Sequence, residues 1–250
     1  MLGISTRVVS YLAIVLVASS LALAQTPGTL PRARDLLEHG HAAEATHTLE
    51  TILQRHPGNA DAWALLGVAR VQQEEPAKAE ECFRKALSID PSLTSALTNL
   101  GQLLLGEQKQ SEALPYLGEA LRSDRSNNRL REMLVSAAES TALQQRANGD
   151  RNGALATLLS AKAEAPRSFP LLLDLSILED ELRLFRDADR DVDEARSIQP
   201  ADLKALYAEA HVKMDLQDMP SAERDMRAYL NARPNDATAH YGLGRILQMT

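Results

Sequence analysis

The feature that most constrains this chain is a pattern that returns every 34 residues. Alanine recurs at this step in two series, Ala45, Ala79 and Ala113, then Ala154, Ala188 and Ala222. Proline recurs at the same step at Pro57 and Pro91, and again at Pro166, Pro200 and Pro234. The step from Ala113 to Ala154 is 41 residues, one heptad more than the period. A fixed period of this length predicts a stack of repeated units, each packed on its neighbours.

The best copy of the pattern identifies the kind of unit. It reads Trp63-Ala64-Leu65-Leu66-Gly67, followed by Ala79, Phe83 and Pro91. This run resembles the tetratricopeptide repeat (TPR), a helix–turn–helix unit of about 34 residues. The resemblance implies an all-α chain, a right-handed TPR-type superhelix (α-solenoid) of antiparallel helix pairs. It extends over residues 25–250 as six repeats with a partial seventh at 237–250, which shows only the first-helix pattern.

Small residues are expected where the two helices of a unit meet. Gly67 has no side chain, so it should let the second helix approach closely at Ala79, and Phe83 continues the seam at helical spacing. Asp90-Pro91 should end the second helix, because proline cannot continue it and restricts the residue before it.

The fourth unit, residues 128–166, holds the seven additional residues. Two helical turns span about 7.2 residues, so seven more residues lengthen a helix while roughly keeping its face. An apolar stripe continues from Met133 towards the turn cluster Asn148-Gly149-Asp150. We therefore expect a first helix two turns longer than its neighbours, protruding at one edge of the solenoid.

The first 24 residues have a different character from the rest. Arg7 precedes the mostly apolar stretch 8–24, and Ala22-Leu23-Ala24 forms a small-x-small site before Gln25. This pattern predicts a secretory signal peptide over residues 1–24 and an exported, periplasmic or secreted, protein. The alternative is an uncleaved membrane anchor, since 17 mostly apolar residues are the lower limit for spanning a bilayer.

Composition argues against several classes of partner. The formal net charge is −7, and loss of Arg7 with the leader makes it −8, so nucleic acid is not an expected partner. Cys82 is the one cysteine, which rules out an intramolecular disulfide. It is expected to be a small, half-buried and unreactive residue on a helix.

No catalytic or metal-binding constellation is recognisable in the sequence. Asp187, Asp189, Asp191 and Asp193 alternate, but alternate residues on a helix point about 200° apart, so a solvated acidic face is the expected reading. The histidines of the first unit lack metal-binding spacing, and no G-x-S-x-G or phosphate-loop motif occurs. The sequence therefore predicts no enzyme activity, no metal and no cofactor.

By resemblance, the first helices line a concave groove that receives a peptide. Transferred to this sequence, the candidate groove residues are Thr98, Gln102, Leu173, Ile177, Tyr207, His211, Tyr241 and Arg245. Family members that bind a carboxylate terminus use Lys, Arg and Asn at several such places, whereas Thr98 and Gln102 stand here. A mixed apolar and polar trough, suited to a helix or an extended segment, is the expectation.

Two functions remain open from the sequence. The first is a non-catalytic exported scaffold that binds a protein or peptide, with the membrane involved only if the leader is uncleaved. The second is the N-terminal repeat region of a larger exported machine, a peptidase or polysaccharide-export component, whose active domain is absent from these 250 residues.

Overall fold

The computed structural model describes residues 29–249 of the chain. These residues form thirteen α-helices, joined by turns, and no β-strand. In chain order they are α1 Leu30–Glu38, α2 Ala42–Arg55, α3 Ala60–Gln72, α4 Pro76–Ile89, α5 Thr94–Gly106, α6 Gln110–Ser123, α7 Asn128–Ala147, α8 Arg151–Glu164, α9 Phe169–Glu181, α10 Phe185–Ile198, α11 Leu203–Asp215, α12 Met219–Ala232 and α13 Ala237–Met249. The predicted all-α class is confirmed. None of these helices combines the length and the apolar character needed to cross a bilayer. The predicted signal peptide, residues 1–24, lies outside the described residues.

The helices form two compact units, divided between Glu107 and Gln108. In the first unit each of α1 to α4 packs on the next helix, and α1 also contacts α3, as α3 contacts α5. In the second unit each of α6 to α12 packs on the next, and α9 also contacts α11. Contacts to the next helix and to the next but one are those that stacked helix pairs require.

The 34-residue period is visible directly in the backbone. Six residues in the range 29–249 have a left-handed conformation, with φ between 60° and 82°, namely Gly40, Glu74, Gln108, Gly149, Arg183 and Gln217. Each follows the first helix of a pair, and they are 34 residues apart except for the 41-residue step to Gly149. The repeated turn is therefore one geometry, adopted even where a non-glycine residue disfavours it.

The recurring alanines lie where the second helix of each pair is most deeply buried. All six have no solvent exposure, namely Ala45, Ala79, Ala113, Ala154, Ala188 and Ala222. A methyl group is the largest side chain that such a close helix approach accommodates, because interiors are packed without spare volume.

Gly67 faces a different partner from the one expected. A side-chain carbon built on Gly67 would lie 2.6 Å from Cδ1 and 2.8 Å from Cζ of Phe83, so the ring of α4 rests on the glycine of α3. The close approach of α4 at Ala79 stays a prediction. The glycine makes room for the ring because Phe83, with no exposed surface, is the larger side chain in this seam.

The first helix of the fourth sequence repeat, α7, is longer than the other first helices, as predicted. Helix α7 has 20 residues, whereas α3, α5, α9, α11 and α13 have 13 each. The additional seven residues are two turns of the same helix, so the apolar stripe along α7 stays on one face. Its buried members include Leu134, Ala138 and Ala142.

Three of the turns that lead from one helix pair to the next contain an equivalent hydrogen bond, between a turn carbonyl and a side chain of the following helix. The carbonyl of Pro57 accepts from Nε1 of Trp63 at 2.9 Å. The carbonyl of Arg125 accepts from a guanidinium nitrogen of Arg131, and that of Pro234 contacts Nε2 of His240 at 2.8 Å. In each case the side chain stands six residues after the carbonyl, on the next first helix. Three different residue types thus fix the entry of that helix, and for this reason the contact is not visible as a sequence motif.

Gly67→Leu should destabilise the first unit by about 1–3 kcal/mol, because the new side chain has to displace the buried ring of Phe83. The matched control is Gly106→Leu, at the end of α5, where an added carbon meets nothing within 4 Å. Urea unfolding measures both. Equal stability losses for the two variants would contradict the packing described here.

Candidate functional site

A cleft of about 940 Å³ opens in the second unit. It lies along α11 and is bounded by α9, by the end of α12 and by the turn that leads into α13. Its apolar wall includes Ile177, Leu203, Ala208 and Val212. This is the size range of sites that enclose a small ligand or several side chains of a peptide.

Three aromatic rings form one wall of the cleft. Tyr207 and His211 stand one turn apart on α11, so their rings lie side by side, with centroids 4.6 Å apart and planes inclined by 55°. Tyr229 of α12 meets Tyr207 from the other side, with a centroid distance of 5.0 Å and an angle of 51°. Tilted rings at these distances attract one another, so the wall is held in shape before any partner binds.

The turn at the end of the cleft is fixed by Asp236. Its Oδ2 accepts a hydrogen bond from the Tyr229 hydroxyl at 2.9 Å, and its Oδ1 accepts one from the backbone N–H of Ala239 at 3.0 Å. The Ala239 N–H, and then the Tyr229 hydroxyl, lower the pKa of Asp236. The hydrogen bond between the Tyr229 hydroxyl and Asp236 also raises the pKa of Tyr229. Asp236 therefore starts α13 and holds the aromatic wall at the same time.

The opposite end of the cleft is acidic. Burial raises the pKa of Asp180 to about 6, and the neighbouring carboxylate of Asp215 raises it further in the same direction. Asp180 lines the cleft from the last turn of α9, and Asp215, in the last turn of α11, lies beside it at the edge of the cleft. Neither forms an ion pair with a basic side chain of the described residues, and Oδ1 of Asp180 is buried without a hydrogen-bond partner there. Two adjacent carboxylates favour a proton or a cation between them.

His211 lies between the aromatic wall and this acidic end. Its pKa is lowered, chiefly by burial and also by the charge of Arg245, although Asp215 acts in the opposite sense. Nε2 of His211 is buried and has no hydrogen-bond partner in residues 29–249. The imidazole is therefore a neutral ring at pH 7, available as a polar contact.

Two basic side chains lie at the other end of the cleft. Lys204 is in the first turn of α11, and Arg233 is in the turn after α12. Within the described part of the chain neither forms an ion pair. Both are exposed. The cleft is consequently basic near the start of α11 and acidic near its end.

The structure brings only some of the predicted groove residues together. Ile177, Tyr207 and His211 line the cleft, and the effect of Arg245 on the His211 pKa places its charge nearby. Leu173 is 7% exposed and packs with Val192, so its side chain belongs mainly to the core.

The other predicted groove residues lie away from the cleft. Tyr241 is 71% exposed on α13 and is not among the residues that line the cleft. Thr98 and Gln102 are half-buried on α5 of the first unit. A binding role for any of the eight stays a prediction.

Sequence reasoning missed the ends of the cleft. Asp180 and Glu181 sit at the end of α9, while Tyr229, Arg233 and Asp236 belong to a second helix and its turn. The family resemblance concerned first-helix positions, which excludes Tyr229, Arg233 and Asp236. On α9 it marked Leu173 and Ile177 rather than the last turn. The signal available in the sequence was the tyrosine at 229, a large aromatic residue next to a turn.

The acidic run of α10 differs from its predicted role. Asp191 is fully buried, and Nζ of Lys162 on α8 donates to its two carboxylate oxygens at 2.6 and 2.7 Å. Nζ of Lys213 on α11 lies 2.5 Å from Asp189 and 3.7 Å from Asp193. The expected solvated face is wrong for Asp191 and Asp189, which connect α10 to its neighbours. No cluster of three or more potential metal ligands occurs in residues 29–249.

A second acid is buried beside this ion pair. Glu179 on α9 is 2% exposed, and its Oε2 has no hydrogen-bond partner among the described residues. Burial raises its pKa to about 7, and the charges of Asp191 and Asp187 add to the effect, while Lys162 and Arg190 oppose it. A charged Glu179 is therefore a cost to the folded state.

Cys82 is buried on α4, and burial raises the pKa of its thiol to about 11. A thiol with this pKa is almost entirely protonated at neutral pH, so it is a weak nucleophile. Cys82 is thus buried rather than half-buried as expected, and its lack of reactivity stays a prediction that the raised pKa supports.

The family model for the tetratricopeptide repeat matches residues 30–93 and 207–248. These two segments of the chain are therefore similar to tetratricopeptide repeats. The second matched segment, 207–248, begins at the aromatic wall of the cleft and includes the Asp236 turn, so much of the candidate site is built from repeat sequence.

Curated relatives match parts of the chain. Peroxisome biogenesis protein 5 of Arabidopsis thaliana is 31% identical over 97 residues, which are 39% of this chain and 13% of that protein. The peroxisomal targeting signal 1 receptor of Dictyostelium discoideum is 35% identical over 71 residues, 28% of this chain and 11% of the receptor. Type IV pilus assembly protein PilF of Pseudomonas aeruginosa is 36% identical over 84 residues, 34% of this chain and 33% of PilF. The matched segments thus span a third or less of each relative.

Solved structures of TPR proteins are also similar. YrrB, described as a TPR protein with an unusual peptide-binding site, is 16% identical with a TM-score of 0.48, over 77% of this chain and 96% of YrrB. PilF of Pseudomonas aeruginosa is 20% identical with a TM-score of 0.42, over 88% of this chain and 95% of PilF.

Glu179→Gln should make stability less dependent on pH. A pKa of about 7 in the folded chain, against an ordinary value of 4.5, means that the folded state holds this proton more tightly. The stabilising contribution is therefore full below pH 4.5 and is lost as the pH rises through 7. From about pH 5 to pH 8 the variant should gain about 2 kcal/mol over the wild-type protein.

Urea unfolding at a series of pH values measures this difference. The control is Glu132→Gln, which removes an exposed carboxylate of α7 and should leave the pH dependence unchanged. A difference between Glu179→Gln and the wild-type protein that is the same at every pH would contradict the assignment.

Proposed function

We propose that this protein is a non-catalytic scaffold that binds a peptide segment of a partner protein in the cleft of its second unit. The observation that supports this best is the aromatic wall of Tyr207, His211 and Tyr229, held by the Asp236 turn in a concave site of about 940 Å³. A pre-formed, partly apolar site reduces the ordering cost of binding.

The repeats support a binding role as well. Tetratricopeptide repeats imply a scaffold for protein–protein interaction, and one matching relative is, by its name, the receptor of a peroxisomal targeting signal. The cleft offers apolar surface, aromatic rings and charged groups of both signs along one helix. This composition suits an extended segment or a helix of another protein.

Binding accounts for the site better than catalysis does. Asp180 and His211 have shifted pKa values, which is a property of many active sites. However, no serine, threonine or cysteine lines the cleft in the described part of the chain. The shifts of Asp180 and His211 follow chiefly from burial, and a buried polar group at a recognition site shows the same effect.

Export is a second part of the proposal. It rests on the leader pattern, in which a positive start, an apolar stretch and the site Ala22-Leu23-Ala24 follow one another. We expect cleavage between Ala24 and Gln25 and delivery to the periplasm or the exterior. N-terminal sequencing of the exported protein checks this, and an intact Met1 in a membrane-embedded product would favour the anchor instead.

The alternative assigns these repeats to a larger exported machine with its active domain elsewhere. In that case the cleft would bind a segment of the same assembly. The mass of the protein recovered from its source distinguishes the two readings, because a product well above 27.3 kDa would favour the larger machine.

Tyr207→Leu should weaken capture of the partner about tenfold or more, because it removes a central ring while keeping apolar volume in the core. Tyr241→Ala should leave the melting temperature unchanged, since this ring is 71% exposed. Weaker capture by this variant would show that the binding surface extends beyond the cleft along α13. The control is Tyr116→Leu, which changes a half-buried tyrosine of α6 outside the cleft.

Quantitative pull-down from the exported fraction, paired with thermal unfolding, measures both properties. If Tyr207→Leu melts the second unit or leaves capture unchanged, the cleft is not the binding surface. If only Tyr241→Ala leaves capture unchanged, the surface is confined to the cleft itself.

A further inference from the structure

The cleft has opposite charges at its two ends, and this arrangement bears on what it binds. Lys204 belongs to the first turn of α11 and Asp215 to its last turn, eleven residues later, which corresponds to about 16 Å along the helix. Asp215 completes the helix. The aromatic wall of Tyr207 and Tyr229 lies between the two charged ends.

The basic end is available to a partner. Lys204 and Arg233 line the cleft, are exposed and form no ion pair within residues 29–249. Asp236 is the acid nearest to Arg233 in sequence, but its two oxygens already accept bonds from Tyr229 and Ala239. A carboxylate at this end would therefore meet two cations and would also lie near the positive end of the α11 dipole.

Two carboxylates at the acidic end of the cleft are also available to a partner. Asp180 and Asp215 have no basic partner among the described residues, and Oδ1 of Asp180 has no hydrogen-bond partner. Glu181, beside Asp180, differs because the guanidinium groups of Arg146 and Arg151 lie 2.5 and 3.5 Å from its carboxylate. A cation placed between Asp180 and Asp215 would relieve the repulsion of two adjacent carboxylates.

We propose that the cleft recognises an extended peptide segment with an acidic side chain and a basic side chain on either side of an apolar residue. The acidic group would lie between Lys204 and Arg233, the apolar residue against Tyr207 and Tyr229, and the basic group between Asp180 and Asp215. This proposal rests on the proposed function and specifies the partner's chemistry.

The spacing of such a segment follows from strand geometry. Alternate residues of an extended chain point to the same side, with a rise of about 3.3 Å per residue. An acid, an apolar residue and a base at alternate positions therefore present all three groups to one surface. Four such steps separate the acid from the base by about 13 Å, and the flexible ends of glutamate and lysine adjust the remaining few ångströms to the separation of about 16 Å along α11.

The test uses capped synthetic peptides and the full-length protein. The first probe is acetyl-Gly-Glu-Ser-Leu-Ser-Lys-Gly-amide. The second has Gln in place of Lys, the third has Gln in place of Glu, and the fourth has Ser in place of Leu. Titrations followed by NMR of the ¹⁵N-labelled protein give a Kd for each probe and show which residues respond.

The protein variants form a cycle with the probes. Asp180→Asn should weaken the Glu–Leu–Lys probe about fivefold but leave the probe without Lys unchanged. Lys204→Gln should weaken the Glu–Leu–Lys probe by a similar factor but leave the probe without Glu unchanged. Glu132→Gln, which changes an exposed carboxylate of α7, should have no effect on any probe.

Several results would overturn the proposal. Equal affinity for all four probes, loss of affinity that does not depend on the matching peptide charge, or no response of the α9 and α11 residues each contradict it. If these occur while Tyr207→Leu still abolishes capture of the natural partner, the cleft binds a partner of other chemistry. If capture also ignores Tyr207→Leu, the proposed function fails together with the inference.

Discussion

The repeat stack depends on helix pairs that approach without spare volume. Six alanines, each fully buried, stand where the second helix of a unit is pressed between its neighbours. Between α3 and α4, Gly67 accommodates the ring of Phe83 in the same way. A larger side chain at these places separates two helices, and since each pair supports the next, the disturbance passes along the stack. The packing of the helix pairs therefore depends on small residues at a fixed period.

The turn between the helices of a pair is the second half of this constraint. One residue in a left-handed conformation reverses the chain within a few residues, and it does so at Glu74, Gln108, Arg183 and Gln217 as well as at two glycines. Non-glycine residues are strained in this conformation. Their persistence indicates that packing of the helix pair, rather than the local preference of the turn residue, determines the geometry. Close pairing in turn places Tyr207 and Tyr229 on adjacent helices, near enough for their rings to meet.

The sequence predicted the periodic part of the structure well because period and packing have the same physical cause. The 34-residue step, the all-helical class and the longer α7 all follow from residues that recur or from a clear helical pattern. The orientation of individual side chains could not be predicted in this way. Gly67 faces Phe83, and Asp191 is buried against Lys162, because contacts between helices depend on which long side chain happens to reach across. The same limit applies to the candidate site, where Asp180 and Asp215 come from helices 34 residues apart and meet only in the folded chain.

Hydrogen–deuterium exchange of the protein bound to its natural partner tests the central claim most directly, because it reports the contacted surface without any substitution. If the cleft is the binding surface, binding should slow exchange in residues 203–212 and 229–239, while α10, Phe185–Ile198, should exchange as in the free protein. Slower exchange confined to α8 and α10, with α11 and the Asp236 turn unchanged, would contradict the account and place the partner on another face of the repeats.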